Sequence, residues 1–273
     1  MIAEETRVSR AWLDLREPAD SRARDPGLIE HLRPRLAPVR PQVIHDLGAG
    51  TGSMGRWLAP LLSGRQHWVL HDRDEGLLDA ATARALGRGA DGAPVSVETR
   101  RSDVAELGSG DLADAALITA SALLDLLTQD ELDALLDVCA EAGCPVLLSL
   151  SVVGRVELAP PDPLDSFVAA AFDAHQRRTA ARGRLLGPDA VAAAAEGFRL
   201  RGAEVLVVPT PWRLGPADAG LAAEWLAGWI GAACEQTPDL VVEAGPYARR
   251  RLAEARAGEL GVTVGHADVL VLP

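Results

Sequence analysis

The sequence predicts an α/β chain organised on a doubly wound, mostly parallel sheet, and three observations carry that prediction. Short apolar runs alternate with segments of helical spacing from about residue 42 onward, with few residues between them. One run, Val43 to Leu47, breaks into the turn Gly48-Ala49-Gly50-Thr51-Gly52 and continues as a helix. A second run ends on the acid Asp72, 20 residues beyond Gly52, which is the separation of a strand-helix-strand unit.

Taken in order, residues 8 to 37 carry Trp12, Leu13 and Leu15, then Leu28, Ile29, Leu32 and Leu36, at helical spacing. Glu17-Pro18 and Asp25-Pro26 interrupt that spacing, so two or three short helices are expected ahead of the sheet. Strands are expected at about 42–47, 66–71, 95–99, 114–120 and 145–152, each bounded by glycine, proline or charge. Helices at about 53–62, 75–86 and 129–142 fill the gaps and cover both faces. The run Pro160-Pro161-Asp162-Pro163 disturbs the alternation and leads into helices at about 164–181 and 188–197. Apolar runs at Ala203 to Val208 and Val262 to Leu272 bracket two more helical stretches, about 216–235 and 245–258. The expected organisation is a helical cap over 1–40 and one main domain over 41–273, with helical insertions at about 160–200 and 212–258.

Composition narrows the function classes. The 273 residues are 48% hydrophobic and 4% aromatic, enough for a sizeable core, and carry a net charge of −12. An acidic field repels phosphate backbones and argues against a nucleic-acid partner. The chain has no lysine and no asparagine, so all 27 basic residues are arginine and Schiff-base or P-loop lysine chemistry is excluded. Cys139, Cys144 and Cys234 follow no metal or redox spacing, and no metal site is expected. The start, Met1 to Arg7, lacks a basic segment followed by an apolar run, and no stretch of 18 uncharged apolar residues occurs. A cytoplasmic protein without membrane contact, monomeric or homodimeric, is the expectation.

The glycine turn by itself points to a nucleoside-like ligand, since a chain without Cβ atoms approaches a ligand closely. A dinucleotide fingerprint wants glycine or alanine at the third site of G-x-G-x-x-G, and Ser53 stands there, so the spacing is G-x-G-x-G. The acid Asp46 lies two residues before the first glycine. On these residues the chain resembles the class I S-adenosylmethionine-dependent methyltransferases, well over about residues 40 to 152 and loosely beyond. The resemblance implies a seven-stranded Rossmann-like sheet with an antiparallel last strand and, here, a helical insertion between the last two strands. It also implies S-adenosylmethionine as cofactor and S-adenosylhomocysteine as product. In that scheme Asp46, Gly48, Ala49, Gly50 and Gly52 form the cofactor turn, Asp72 holds the ribose beside Arg73, and Asp74 caps a helix. Asp103 receives the adenine amino group, the Val104 N–H meets a ring nitrogen, and Ala120 underlies the methionine part. The cofactor carboxylate needs a cation, and in Arg16-Glu17-Pro18-Ala19-Asp20-Ser21-Arg22-Ala23-Arg24 the choice falls on Arg22, with Arg16 next.

The acceptor side is less patterned. A base-modifying Asn-Pro-Pro-Tyr signature is absent, which points to a small-molecule acceptor and, from family frequency, to O-methylation. N- or C-methylation and a catalytically idle binding subunit remain the alternatives. His175, on the helix expected at 164–181 with Phe167 and Phe172, is the general-base candidate, and Asp125 after the fourth strand is a second candidate for orienting an acceptor. His266 is expected to be packed. Trp212, Trp225, Trp229 and Tyr247 concentrate aromatic surface in the second insertion, and Arg249-Arg250-Arg251 offers either an anion site or a solvated face.

Overall fold

The computed structural model describes residues 8–36, 41–84 and 86–273. Residues 1–7 and 37–40 of the expected cap, and residue 85 of the helix expected at 75–86, lie outside the described residues. Helices α1 (Arg10–Ala23) and α2 (Gly27–Leu32) precede the sheet. There follow β1 (Gln42–Leu47), α3 (Ser53–Leu58), β2 (Gln66–Asp72), α4 (Glu75–Thr82), β3 (Val95–Arg101), β4 (Leu117–Ser121), α5 (Gln129–Ala142) and β5 (Val146–Ala159). Then come α6 (Asp165–Gln176), the hairpin β6 (Thr179–Ala180) and β7 (Gly183–Arg184), α7 (Ala190–Leu200), β8 (Glu204–Pro209) and β9 (Trp212–Leu214). Helices α8 (Ala219–Gln236) and α9 (Val241–Ala257) separate these from β10 (Gly261–Leu272).

The sheet order is β3-β2-β1-β4-β5-β10-β8, parallel through β5, with β10 antiparallel to both β5 and β8. An eighth strand, β9, adds to the seven expected. Its cause is length: β10 outreaches β8, and the edge left free at Val262–Val264 takes up Trp212–Leu214. Pairing β10 with β5 also carries β5 well past the expected end at 152.

Pro18, expected to interrupt the first helix, does not, and a second proline is likewise interior to a helix. Pro18 lies inside α1 and Pro246 inside α9. An interior proline costs about 3 kcal/mol, an amount that burial of one helix face can offset. In α1 the anchored face is Trp12, Arg16 and Asp20, spaced four apart against Trp212, so the break falls once, at Arg24–Pro26. The helix expected over 164–181 stops at Gln176, where the chain turns into the β6–β7 hairpin.

Period-two alternation splits the strands between two cores. On one face Ile118, Ala120, Val146 and Leu148 pack with Leu132, Leu136, Ala194 and Phe198 of α5 and α7. On the other face Ile44, Leu70, Leu117 and Leu147 pack with Ile29, Leu32, Met54, Leu58 and Leu78 of α2, α3 and α4. A third core lies beyond the carboxyl ends of the parallel strands. There Trp225 and Trp229 of α8 stack at 5.2 Å and pack with Val168 of α6, Tyr247 of α9 and Val262 of β10.

Candidate cofactor and active site

The β1–α3 turn is left-handed at all three glycines: φ is 64° at Gly48, 54° at Gly50 and 80° at Gly52. Side chains there would be strained whatever space exists, and a Cβ at Gly50 would stand 3.0 Å from Leu13 Cδ1 of α1. The turn is tied to the second strand. Ala49 N–H donates to the His71 carbonyl at 2.8 Å, and Gly50 N–H donates to Asp72 Oδ2 at 2.8 Å. Asp72 Oδ1 accepts from Asp74 N–H at 2.9 Å, while Asp74 caps α4 by accepting from the N–H groups of Gly76 and Leu77. Asp72 is thus held rigidly at the strand end beside the turn, and Arg73 next to it is exposed.

Below the turn two buried charged groups are short of partners. Asp46 Oδ1 accepts from Thr119 Oγ1 at 2.8 Å, but its Oδ2 is buried without a hydrogen bond. Burial pushes its carboxyl up to about 7 against the opposing pull of the Thr119 hydroxyl and Arg24. Arg24, 2% exposed, donates from Nη2 to Ser121 Oγ at 3.0 Å and Ser53 Oγ at 3.3 Å, yet its Nε and Nη1 are buried without acceptors. Burial lowers its pKa, opposed by the fields of Asp20, Asp268 and Asp46. A buried guanidinium with two open donor nitrogens and a carboxylate with one open oxygen, each within reach of the other's field, match the carboxylate and ammonium of an α-amino acid.

Arg22, the residue expected to hold such a carboxylate, has a side chain that is 56% exposed and pairs with Asp218 at 2.5 Å. Helical phase is the reason: Arg24 continues the inward stripe Trp12, Arg16, Asp20, and Arg22 sits off it. Arg16, the second choice, is bound through Nε and Nη2 to Asp20 at 2.9 and 3.2 Å and lies over the Trp212 ring at 4.9 Å.

At the third strand Asp103 Oδ1 accepts from Ala105 N–H at 3.0 Å, and Oδ2 accepts from Arg182 Nη1 at 3.1 Å. Val104 packs at the margin of the α5–α7 core, and Ala120 is buried within it. Under this edge runs a polar chain that sequence reading did not assemble: His45 Nε2 lies 3.1 Å from Asp114 Oδ1, His45 Nδ1 is 2.9 Å from His71 Nε2, and His71 Nδ1 is 3.0 Å from Ser102 Oγ. With Asp114 accepting, donation runs one way, from Ser102 O–H through both neutral rings. Burial holds both histidines below their usual range, His71 at about 4.

On the acceptor side the two candidates part. His175 Nε2 faces Glu235 Oε2 of α8 at 3.2 Å, so its ring is engaged in the helix–helix contact rather than turned to the glycine turn. Asp125 sits in the single turn Leu124–Leu126 just after Leu123, whose Cδ1 would lie 3.2 Å from a Cβ at Gly48. Burial raises its carboxyl to about 6, opposed by its own backbone N–H and by Arg16 and Arg178. His266 is packed as expected, its Nδ1 donating to Val264 O at 3.0 Å and its ring 5.1 Å from Trp212. Two non-glycine residues have positive φ: Ala122 at 53°, just after β4, and Leu150 at 56°, within β5. Leu150 N–H is held by Asp268 Oδ1 at 2.8 Å, and Asp268 Oδ2 accepts from Asp25 N–H at 3.1 Å. A groove of about 400 Å³ elsewhere, along Glu157, Arg213 and Thr263, lacks such a set, since Glu157 is already paired with Arg155. Among the described residues no group of three or more histidine, cysteine or acidic side chains could hold a metal ion.

Strand order, glycine turn and acid-ended second strand together define the fold of the class I S-adenosylmethionine-dependent methyltransferases. The cyclopropane synthase MmaA2 from Mycobacterium tuberculosis shares it at TM-score 0.50 and 12% identity, over 96% of this chain and 94% of that one. A methyltransferase from Geobacter sulfurreducens, solved with S-adenosylhomocysteine, aligns at TM-score 0.47 and 15% identity over 98% and 100% of the two chains. No family model and no curated protein sequence matches.

Proposed function

We propose that this chain is an S-adenosylmethionine-dependent methyltransferase acting on a small-molecule acceptor, most directly at oxygen. One observation carries the cofactor reading: Arg24 and Asp46 are buried with open hydrogen-bonding atoms of opposite charge beside a glycine turn. Arg24 would hold the amino-acid carboxylate and Asp46 its ammonium, with Ser53 and Ser121 fixing the guanidinium. Asp72 would take the ribose hydroxyls, and Asp103 with Val104 the adenine edge. When bound, the cofactor supplies a methyl group already activated on a sulfonium. What remains for the chain is alignment and removal of one proton.

Asp125 is the residue we assign to that proton. Its carboxylate, raised to about 6, is ionised at neutral pH yet basic enough to accept a hydroxyl proton as the methyl arrives. The organisation we propose is a helical cap, α1 and α2, on one methyltransferase domain, with the insertions around α6 and α8–α9 enclosing the acceptor. Among the described residues no helix is long and apolar enough to cross a membrane, and the three cysteines are free, which supports a cytoplasmic setting. Calorimetry with S-adenosylhomocysteine tests the reading. Binding is expected, with Asp72→Ala weakening it at least tenfold; no binding by the unsubstituted chain overturns it.

A further inference from the structure

The segment joining α6 to α7 is folded back and pinned beside the edge where the cofactor reading places adenine. Leu186 N–H donates to Leu127 O at 2.8 Å, Leu185 bridges Thr128, and Gly183, at φ 132°, is so close that a Cβ would stand 3.3 Å from Thr128 Cγ2. At the tip of this hairpin Arg182 spans two elements. Its Nη1 donates to Asp103 Oδ2 at 3.1 Å, and its Nε lies 2.8 Å from Glu131 Oε1. Glu131 is immobilised in the capping box that starts α5, where its Oε2 accepts from Thr128 N–H at 2.9 Å.

The guanidinium therefore bridges the loop after β3 and the first turn of α5. On the cofactor reading, a base hydrogen-bonded to Asp103 would lie beside that bridge. We infer that Arg182 roofs the adenine slot, Asp103 meeting the edge of the purine and the guanidinium plane its face. This rests on the cofactor reading above. An ion pair whose members are 45% and 29% exposed contributes little to folding, so a merely structural brace there is weakly needed. A flat, delocalised cation held at two points, in contrast, is preorganised to stack on an uncharged aromatic ring, which an ammonium is not. The hairpin also runs directly into Arg178, whose field reaches Asp125, so the same segment borders both the adenine and the acceptor side.

The test is calorimetry of S-adenosylhomocysteine binding to the full chain and to Arg182→Ala and Arg182→Lys, with melting curves of each without ligand. Stacking of this kind predicts roughly tenfold weaker binding for Arg182→Ala. Arg182→Lys, which keeps the charge and loses the plane, is expected to remain nearly as weak, and the ligand-free melting temperatures to stay together. Affinity within twofold of the unsubstituted chain in Arg182→Ala overturns the inference. Full recovery in Arg182→Lys overturns it too, by showing that charge alone suffices. A failure of the unsubstituted chain to bind would instead count against the cofactor reading itself.

Discussion

Arg24→Met separates the two things a buried arginine can do. In the ligand-free protein the guanidinium is 2% exposed, makes two hydrogen bonds to hydroxyls, and leaves Nε and Nη1 without acceptors. No carboxylate lies within ion-pairing distance of it among the described residues, so its desolvation is poorly compensated and its pKa is lowered. Replacing such a charge by an apolar side chain of similar length is expected to leave stability unchanged or raise it by about 1–3 kcal/mol. Affinity should move the other way. Two charge-assisted hydrogen bonds to a ligand carboxylate in a dry site contribute roughly 2–4 kcal/mol, a 30- to 1,000-fold loss in Kd for S-adenosylhomocysteine. Binding of 5′-methylthioadenosine, which lacks the amino-acid end, should change by less than twofold. Urea denaturation gives the first quantity and calorimetry the other two. A variant that is destabilised by 2 kcal/mol or more while binding S-adenosylhomocysteine normally refutes the reasoning and makes Arg24 a packing residue.

Asp125→Asn is expected to lower kcat by about 10²- to 10⁴-fold with cofactor affinity intact, once an acceptor is in hand, whereas His175→Gln should alter neither. In the unsubstituted enzyme the rate should fall as pH drops below about 6, where Asp125 takes up a proton. The histidine chain gives a pH dependence of stability. His71 is held at about 4 against 6.5 when exposed, so its contribution is complete above 6.5 and is lost as pH falls toward 4. Asp46, raised to about 7, works in the opposite sense, its contribution being lost as pH rises through 7. Comparing His71→Gln with the unsubstituted chain isolates the first term: between pH 7 and pH 5 the latter should lose about 2 kcal/mol more, read from denaturant midpoints. Equal losses discard it. For packing, Gly197→Ala on α7 puts a Cβ 2.3 Å from Leu136 Cδ1 in a fully buried core and should cost about 1–2 kcal/mol despite better helix propensity. Gly228→Ala on α8, with nothing within 4 Å of its Cβ, should stabilise by up to about 1 kcal/mol in the same assay.

The glycine turn and the acid-ended second strand were legible because their signals are local. A strand must end, the chain must turn left-handed at Gly48, Gly50 and Gly52, and an acid must stand where the next strand ends; all of this lies within 30 residues. Asp72 tied to Gly50 N–H is that local logic made visible. That Arg22 faces solvent while Arg24 is buried has a different reason. Both lie in one arginine-rich stretch, and which one turns inward depends on whether α1 continues through Pro18. That continuation depends on Trp212, nearly 200 residues away, whose indole N–H donates to Asp20 at 2.9 Å.

By itself, then, the sequence determined the parallel half of the sheet, the two-faced alternation of its core and the nature of the glycine turn, since periodicity and backbone sterics act between neighbours in the chain. Only the tertiary structure decided which charges are buried short of partners, that His175 faces α8 while Asp125 follows Leu123 beside the glycine turn, and that a hairpin carries Arg182 to Asp103. Those outcomes follow from desolvation and from contacts between segments distant in sequence, which no local pattern encodes.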